Sequence, residues 1–182
     1  MTEKTSHILV VDDELSMREL LELMLNREGY QVTCAEDGRK AIRLLEKNQY
    51  DLLLCDIKLG DISDLDVLRA SKKSSQDTVV ILISAYASTE TAVEAMKLGA
   101  ADFLTKPFSS EEFGVKVDRL LRSREERTKL QAENLALRVE NTALKEEVAT
   151  RYGEIVGESG VMTDVFRMVD RVARSDSTVM IY

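Results

Sequence analysis

The chain has 182 residues, 44% hydrophobic and 32% charged, with a formal net charge of −8. That length holds one domain of ordinary size plus a remainder, and the apolar share is enough to build a core. The acidic balance argues against a nucleic-acid interface in this stretch, since neutralising phosphates takes a basic face.

His7–Asp12 (HILVVD) reads as a buried strand. Glu14–Glu28 follows with Leu15, Leu20, Leu21, Met24 and Leu25 at helical spacing, closed by Gly29. Gln31–Ala35 predicts a second strand, and Gly38–Asn48 a second helix with Ala41, Ile42, Leu44 and Leu45 inward. Asp51–Asp56 (DLLLCD) predicts a third strand, apolar through its middle as a strand covered on both faces requires. A third helix runs from about Asp64 to Lys73, Thr78–Ser84 is a fourth strand, Thr89–Leu98 a helix ended by Gly99, and Asp102–Thr105 a fifth strand. Repeated strand-then-helix units predict an α/β fold: a five-stranded parallel, doubly wound sheet with ligands beyond the carboxyl ends of its strands.

The fifth helix starts at Ser109 or Ser110, either one a cap ahead of Glu111 and Glu112. No proline interrupts it up to about Thr150, so it would be roughly 60 Å long. Tyr152-Gly153 then breaks the helix, Gly157–Gly160 forms a loop, Val161–Arg174 is helical and Thr178–Tyr182 opens a strand. A strand with nothing to pair with suggests a truncated protein. His7 is the sole histidine, which excludes histidine metal clusters and histidine triads. Cys34 and Cys55 sit in apolar runs and read as two buried thiols in a reducing compartment. No run reaches ~18 apolar residues, so a soluble, cytoplasmic protein is expected.

The strand ends carry the chemistry. Asp12 and Asp13 follow the first strand, Asp56 ends the third, Ser84 ends the fourth and Lys106 follows the fifth. A parallel sheet brings all of them to one edge. Clustered carboxylates repel unless a cation joins them, and an all-oxygen set favours Mg²⁺. A carboxylate beside Mg²⁺ is a usable nucleophile toward phosphorus, with a lysine and a hydroxyl to hold phosphoryl oxygens. Taken singly, Asp12 reads as a helix cap, Lys106 as a solvated charge, Ser84 as a turn residue and Phe103 as core; the joint arrangement reads as a site for a transient aspartyl phosphate.

The strings VVDDE (Val10–Glu14), LCDI (Leu54–Ile57), ISAYAS (Ile83–Ser88) and TKPF (Thr105–Phe108) resemble a response-regulator receiver domain over about Ser6 to Leu121. The resemblance implies a flavodoxin-like fold, with Asp56 phosphorylated by a sensor histidine kinase. It implies Mg²⁺ on Asp12, Asp13, Asp56 and the Lys58 carbonyl, with Asp12 assisting through water. It further implies that Ser84 and Ala85 meet the phosphate with Lys106, that Phe103 follows Ser84 inward, and that the Lys106–Pro107 peptide is cis. Receivers usually carry a proline four residues past the acceptor and a glycine eight past it; here those places hold Gly60 and Asp64. Cys55 reads as packing, and Tyr86 either tunes phosphate lifetime or is a surface aromatic.

Along the long helix, Leu130, Leu137 and Leu144 fall at heptad position d, and Arg127, Asn134, Asn141 and Val148 at a. Leucine at d with asparagine at a favours a parallel two-stranded coil. Glu133 and Glu140 at g then face Arg138 and Lys145 at e of a partner, pairs worth ~0.2–1 kcal/mol that select orientation. The competing view is a single solvated helix laced with charge. Residues Ile155–Tyr182 resemble the opening of the AAA+ module of sigma-54-dependent activators, the nitrogen-regulator class, but the Gly-Lys-[Ser/Thr] phosphate loop is not in this chain.

The expected organisation is a receiver at 1–121, a dimerising coiled-coil linker at 122–151 and the truncated start of an AAA+ ATPase domain at 152–182. The expected function is that of a bacterial two-component response regulator, not itself an enzyme. Phosphorylation of Asp56 would change the dimer and so control an ATPase that, in the whole protein, meets ATP, sigma-54 RNA polymerase and DNA. The leucine-bearing linker suggests that the unphosphorylated receiver holds the ATPase inactive. A pseudo-receiver that only dimerises is the alternative; a haloacid-dehalogenase-type phosphatase is disfavoured, because Lys58 stands where its second aspartate is needed.

Overall fold

Alternate residues of each strand feed two different cores in a computed structural model that describes residues 6–60, 65–85, 89–152 and 160–173. The strands are β1 (His7–Val11), β2 (Gln31–Ala35), β3 (Leu52–Asp56), β4 (Val79–Ser84) and β5 (Asp102–Thr105). They form one sheet in the order β2-β1-β3-β4-β5, every pair parallel. Between them lie α1 (Leu15–Arg27), α2 (Gly38–Lys47), α3 (Asp66–Ser74) and α4 (Thr89–Lys97), followed by α5 (Ser110–Tyr152) and α6 (Gly160–Val172).

On one face, Ile8, Val10, Leu52, Leu54, Ile81 and Ile83 pack with Leu21 and Leu25 of α1 and with Phe113, Val117 and Leu121 of α5. On the other, Leu9, Val11, Leu53, Cys55, Val80 and Leu82 pack with Ala41 and Leu45 of α2, Val67 and Leu68 of α3, and Ala95 of α4. Each large side chain so buried contributes ~1.5–3 kcal/mol. The winding direction reverses between β1 and β3, which opens a crevice at their carboxyl ends.

The predicted elements are all present within the described residues, with shifts at their ends. β3 and β4 begin one residue later than read, at Leu52 and Val79, and the described part of α3 begins at Asp66. α6 starts at Gly160, so that glycine is helical and not part of a loop. In α1 the apolar pattern over-reports the buried face: Leu15 and Leu20 are 60% and 46% exposed, while Met17 and Met24 pack inward with Leu21 and Leu25. Cys34 is half-buried and not fully so, because β2 is an edge strand. Ser109 is the cap of α5, its hydroxyl accepting the Glu112 N–H at 3.0 Å. The strand expected at Thr178–Tyr182 lies outside the described residues.

The chain divides into two units, at residues 1–130 and 131–182. In the second, the described residues include the rest of α5, with Leu137 and Leu144 exposed, and α6, with Val161, Val165, Met168 and Val169 exposed. No described helix is long and apolar enough to cross a membrane.

Candidate functional site

Strand register sets the heights at which the functional side chains emerge. Val11 pairs with Cys55, Asp56 with Ile83, and Ser84 with Thr105. One step past these pairs, Asp12 leaves β1 and Lys106 leaves β5, and their neighbours are locked by main-chain bonds. Asp12 N–H donates to Ala35 O at 3.3 Å, Ile57 N–H to Ile83 O at 2.9 Å and Lys106 N–H to Ser84 O at 2.8 Å. The pocket is therefore built on sheet ends and not on loose loop geometry.

Into this crevice Lys106 reaches from the far side of the sheet. Its Nζ donates to Asp12 Oδ2 at 2.8 Å and to Asp56 Oδ2 at 2.5 Å. The second oxygen of each carboxylate is taken by main chain: Asp12 Oδ1 accepts the Glu14 N–H at 2.9 Å, and Asp56 Oδ1 the Lys58 N–H at 3.0 Å. Asp12 Oδ1 thus closes a turn onto Glu14, the N-cap of α1, while Oδ2 meets Lys106; α1 has no side-chain cap, so the cap read for Asp12 is not formed. Burial raises the Asp12 carboxyl above its ordinary range, a shift only partly offset by its bond to Lys106. Burial alone would lower the Lys106 ammonium, but its bonds to Asp12 and Asp56 raise it on balance.

Carboxylate oxygens of Asp12, Asp13 and Asp56 lie within 4.8 Å of one another. Asp12 and Asp56 are buried and Asp13 is exposed, so the cluster opens to solvent on one side. An all-oxygen set of this charge, with an open side for water and phosphate, suits a hard divalent cation that keeps part of its hydration. The residues present fit such an ion.

The other expected site residues sort as follows. Ser84 is buried at the end of β4 and Ala85 is exposed just beyond it. Phe103 is half-buried on β5 and packs toward the core shared with α2, α3 and α4. The Lys106–Pro107 peptide is cis. Gly60, where receivers usually carry proline, has φ +72°, a conformation closed to proline, whose ring holds φ near about −65°. The departure is therefore matched to the backbone of this loop. Asp64 and Tyr86 lie outside the described residues. Leu130, Asn134, Leu137, Asn141 and Leu144 are exposed on α5; the side chain of Val148 lies outside the described residues.

One contributor was not read from the sequence. The Arg18 guanidinium donates to the Asp12 main-chain carbonyl at 2.7 Å and steadies the turn that carries both aspartates. Its only signal was a basic residue one turn into a helix that begins at the pocket, which is weak in a chain so rich in charge. Cys34, near the carboxyl end of β2, is held protonated: burial and then Glu22 push its thiol up to about 11.

Residues 8–118 match the family described as response regulator receiver domain. The transcriptional regulatory protein ZraR of Escherichia coli K12 is 32% identical over 182 residues, covering 100% of this chain and 38% of that protein. The DNA-binding transcriptional regulator NtrC of Proteus hauseri is 31% identical, covering 96% and 34%. The chain thus spans little more than a third of the curated relatives it matches. Among solved structures, the receiver domain of a putative LuxO repressor from Vibrio parahaemolyticus has a TM-score of 0.66 at 30% identity, covering 70% of this chain and 98% of that one. NtrX of Brucella abortus, crystallised with ATP, has a TM-score of 0.63 at 30% identity, covering 96% and 36%.

Proposed function

Because this chain belongs to the response regulator receiver domain family, we propose that Asp56 accepts a phosphoryl group from a sensor histidine kinase and that the modified receiver changes how two chains pair. The observation that carries this is the bridging of Asp12 and Asp56 by one ammonium, Lys106, in a pocket made of sheet ends. That arrangement supplies a buried nucleophile, a cation for the arriving charge and a cluster able to take a metal.

A carboxylate oxygen of Asp56 attacks the phosphorus of the donor phosphohistidine. A new P–O bond forms as the P–N bond breaks, and the electron pair returns to the imidazole nitrogen. Lys106 neutralises the incoming phosphoryl oxygens, and the Ser84 hydroxyl and the Ala85 main chain lie at the strand end where a phosphoryl oxygen would sit. Asp12, Asp13, Asp56 and the Lys58 carbonyl would hold Mg²⁺, which when bound offsets carboxylate repulsion and phosphoryl charge. Phe103 would follow Ser84 inward. The output belongs to the linker, where the leucines and asparagines of α5 from Leu130 to Val148 would form a parallel coiled coil with a second copy.

Divided at 1–121, 122–151 and 152–182, the chain would be receiver, dimerising linker and the first part of a sigma-54-dependent AAA+ activator. Whole-chain alignment with ZraR and NtrC supports that division, and ATP, sigma-54 RNA polymerase and DNA would be partners of the longer protein. Incubation with acetyl phosphate and Mg²⁺, read by intact mass, tests the reading. The expected result is the gain of one phosphate in the wild type and none in Asp56→Asn; absence of any gain in the wild type leaves only a dimerising scaffold.

A further inference from the structure

The buried stripe of α5 consists of Phe113, Val117 and Leu121, one residue every fourth position. Arg124 continues it, since seven residues past Val117 is close to two full turns. An arginine thus stands where the pattern would next bring an apolar side chain onto the sheet. Its side chain is only 21% exposed, with Nη1 at 2.7 Å from Asp51 Oδ1. Its Nε donates to the Asp77 carbonyl at 2.9 Å. The other Asp51 oxygen, Oδ2, accepts the His7 main-chain N–H at 2.7 Å. The Asp51 main chain completes the junction, its N–H donating to His7 O at 2.8 Å and its carbonyl accepting the Val79 N–H at 2.9 Å.

One guanidinium therefore ties α5 to the starts of β1, β3 and β4, on the edge of the sheet remote from Asp56. Arg127, one turn further, lies 3.6 Å from Asp77 Oδ1, but both groups are about half exposed and add little. A half-buried, doubly bonded arginine is different, because its planar fork holds direction as well as charge. Past Leu121 the apolar stripe is spent, and the helix would otherwise be free to pivot where it leaves the sheet.

We propose that Arg124 is a positioning residue that fixes the direction in which α5 leaves the receiver and makes residues 122–129 part of the same rigid body. Its use rests on the signalling role proposed above: a change at Asp56 can reach a linker coil only through a helix that does not swivel at its exit. The clamp itself does not depend on phosphorylation.

Amide hydrogen exchange on the unphosphorylated full chain tests it, comparing wild type with Arg124→Ala, Arg124→Lys and Arg122→Ala. Arg122 is a matched control, since it pairs with Asp118 on its own helix. Exchange over 122–129 is expected to rise about tenfold in Arg124→Ala, with the strands unchanged. Arg124→Lys should fall between the two, and Arg122→Ala should match the wild type. Unchanged exchange in Arg124→Ala, an equal rise in Arg122→Ala, or a rise spread evenly over sheet and helix with a lower melting temperature would each overturn the proposal. Failure of the phosphoacceptor reading would appear separately, as no mass gain with acetyl phosphate, and would leave these rates as they are.

Discussion

At the carboxyl ends of β1 and β3, two buried carboxylates share the single ammonium of Lys106, and a third carboxylate stands nearby. At the amino ends of β3 and β4, Asp51 and Asp77 meet Arg124 and Arg127, with main-chain groups filling the remaining positions. Both edges are charged, yet only one is complete. The amino-end edge matches opposite charges and behaves as a fastening. The carboxyl-end edge carries more negative charge than its lysine can answer, an imbalance that suits the cation and the phosphoryl group proposed for it. The same sheet thus separates chemistry from anchoring by the sign balance at its two edges.

The sharpest way to break this contrast is Lys106→Met. It strands Asp12 and Asp56, whose side chains are 1% and 11% exposed, and removing one partner of a buried pair costs about 3 kcal/mol. Urea unfolding at neutral pH measures the loss. Mg²⁺ should then stabilise the variant more than the wild type, since the stranded carboxylates gain a cation. The pH dependence follows in sign. Lys106 is raised in the folded state, so its contribution holds below pH 10.5 and is lost as pH rises through its folded value. Asp12 is also raised, so its share of stability is full below pH 3.8 and lost as pH rises through its folded value. Acidification should therefore shrink the deficit of the variant. A variant as stable as wild type at pH 7 without Mg²⁺ would mean that the carboxylates are not strained.

At the opposite edge the expected effect is smaller. Asp51→Ala removes the acceptor of both Arg124 and the His7 N–H, but these groups keep some access to water, so the loss should be about 2 kcal/mol. Asp51→Asn keeps an oxygen for one of the two bonds and should lose about half as much. Mg²⁺ should stabilise both variants only as much as it stabilises the wild type, since the Asp12, Asp13 and Asp56 cluster is intact in each. A magnesium-dependent rescue at Asp51 would erase the distinction between the edges.

Much of this was legible in the sequence, and the limits have physical causes. Strand identity and the convergence of Asp12, Asp13, Asp56 and Lys106 could be read because a parallel sheet collects strand ends whatever their separation along the chain; Ser84 is placed only at the end of β4. Which leucines of α1 face inward could not be read, since Leu15 and Leu20 flank the stripe of Leu21 and Leu25 and only the packed sheet shows that they lie outside it. Cys34 looked as buried as Cys55 because composition does not say which strand lies at an edge. Arg124 was invisible for a different reason. In a helix crowded with arginine and glutamate, one residue that folds back onto the receiver looks the same as its solvated neighbours until Asp51 and Asp77 are seen beside it.

The smallest effect is expected between the two edges, and with the opposite sign. Ser71 on α3 is fully buried, and among the described residues its hydroxyl has no hydrogen-bond partner. Its main-chain carbonyl is used, accepting the Ser75 N–H at 2.8 Å, so only the side chain is unsatisfied. An unpaired buried hydroxyl costs at least about 1 kcal/mol, and alanine is also the better helix former. Ser71→Ala should therefore raise stability by about 1 kcal/mol, read from the urea midpoint at unchanged slope. The edges then differ from the interior as they should: charge removed from either edge destabilises, whereas polarity removed from α3 stabilises. A clear loss in Ser71→Ala would mean that the hydroxyl is satisfied in solution, and the interior would no longer serve as the neutral reference for the two edges.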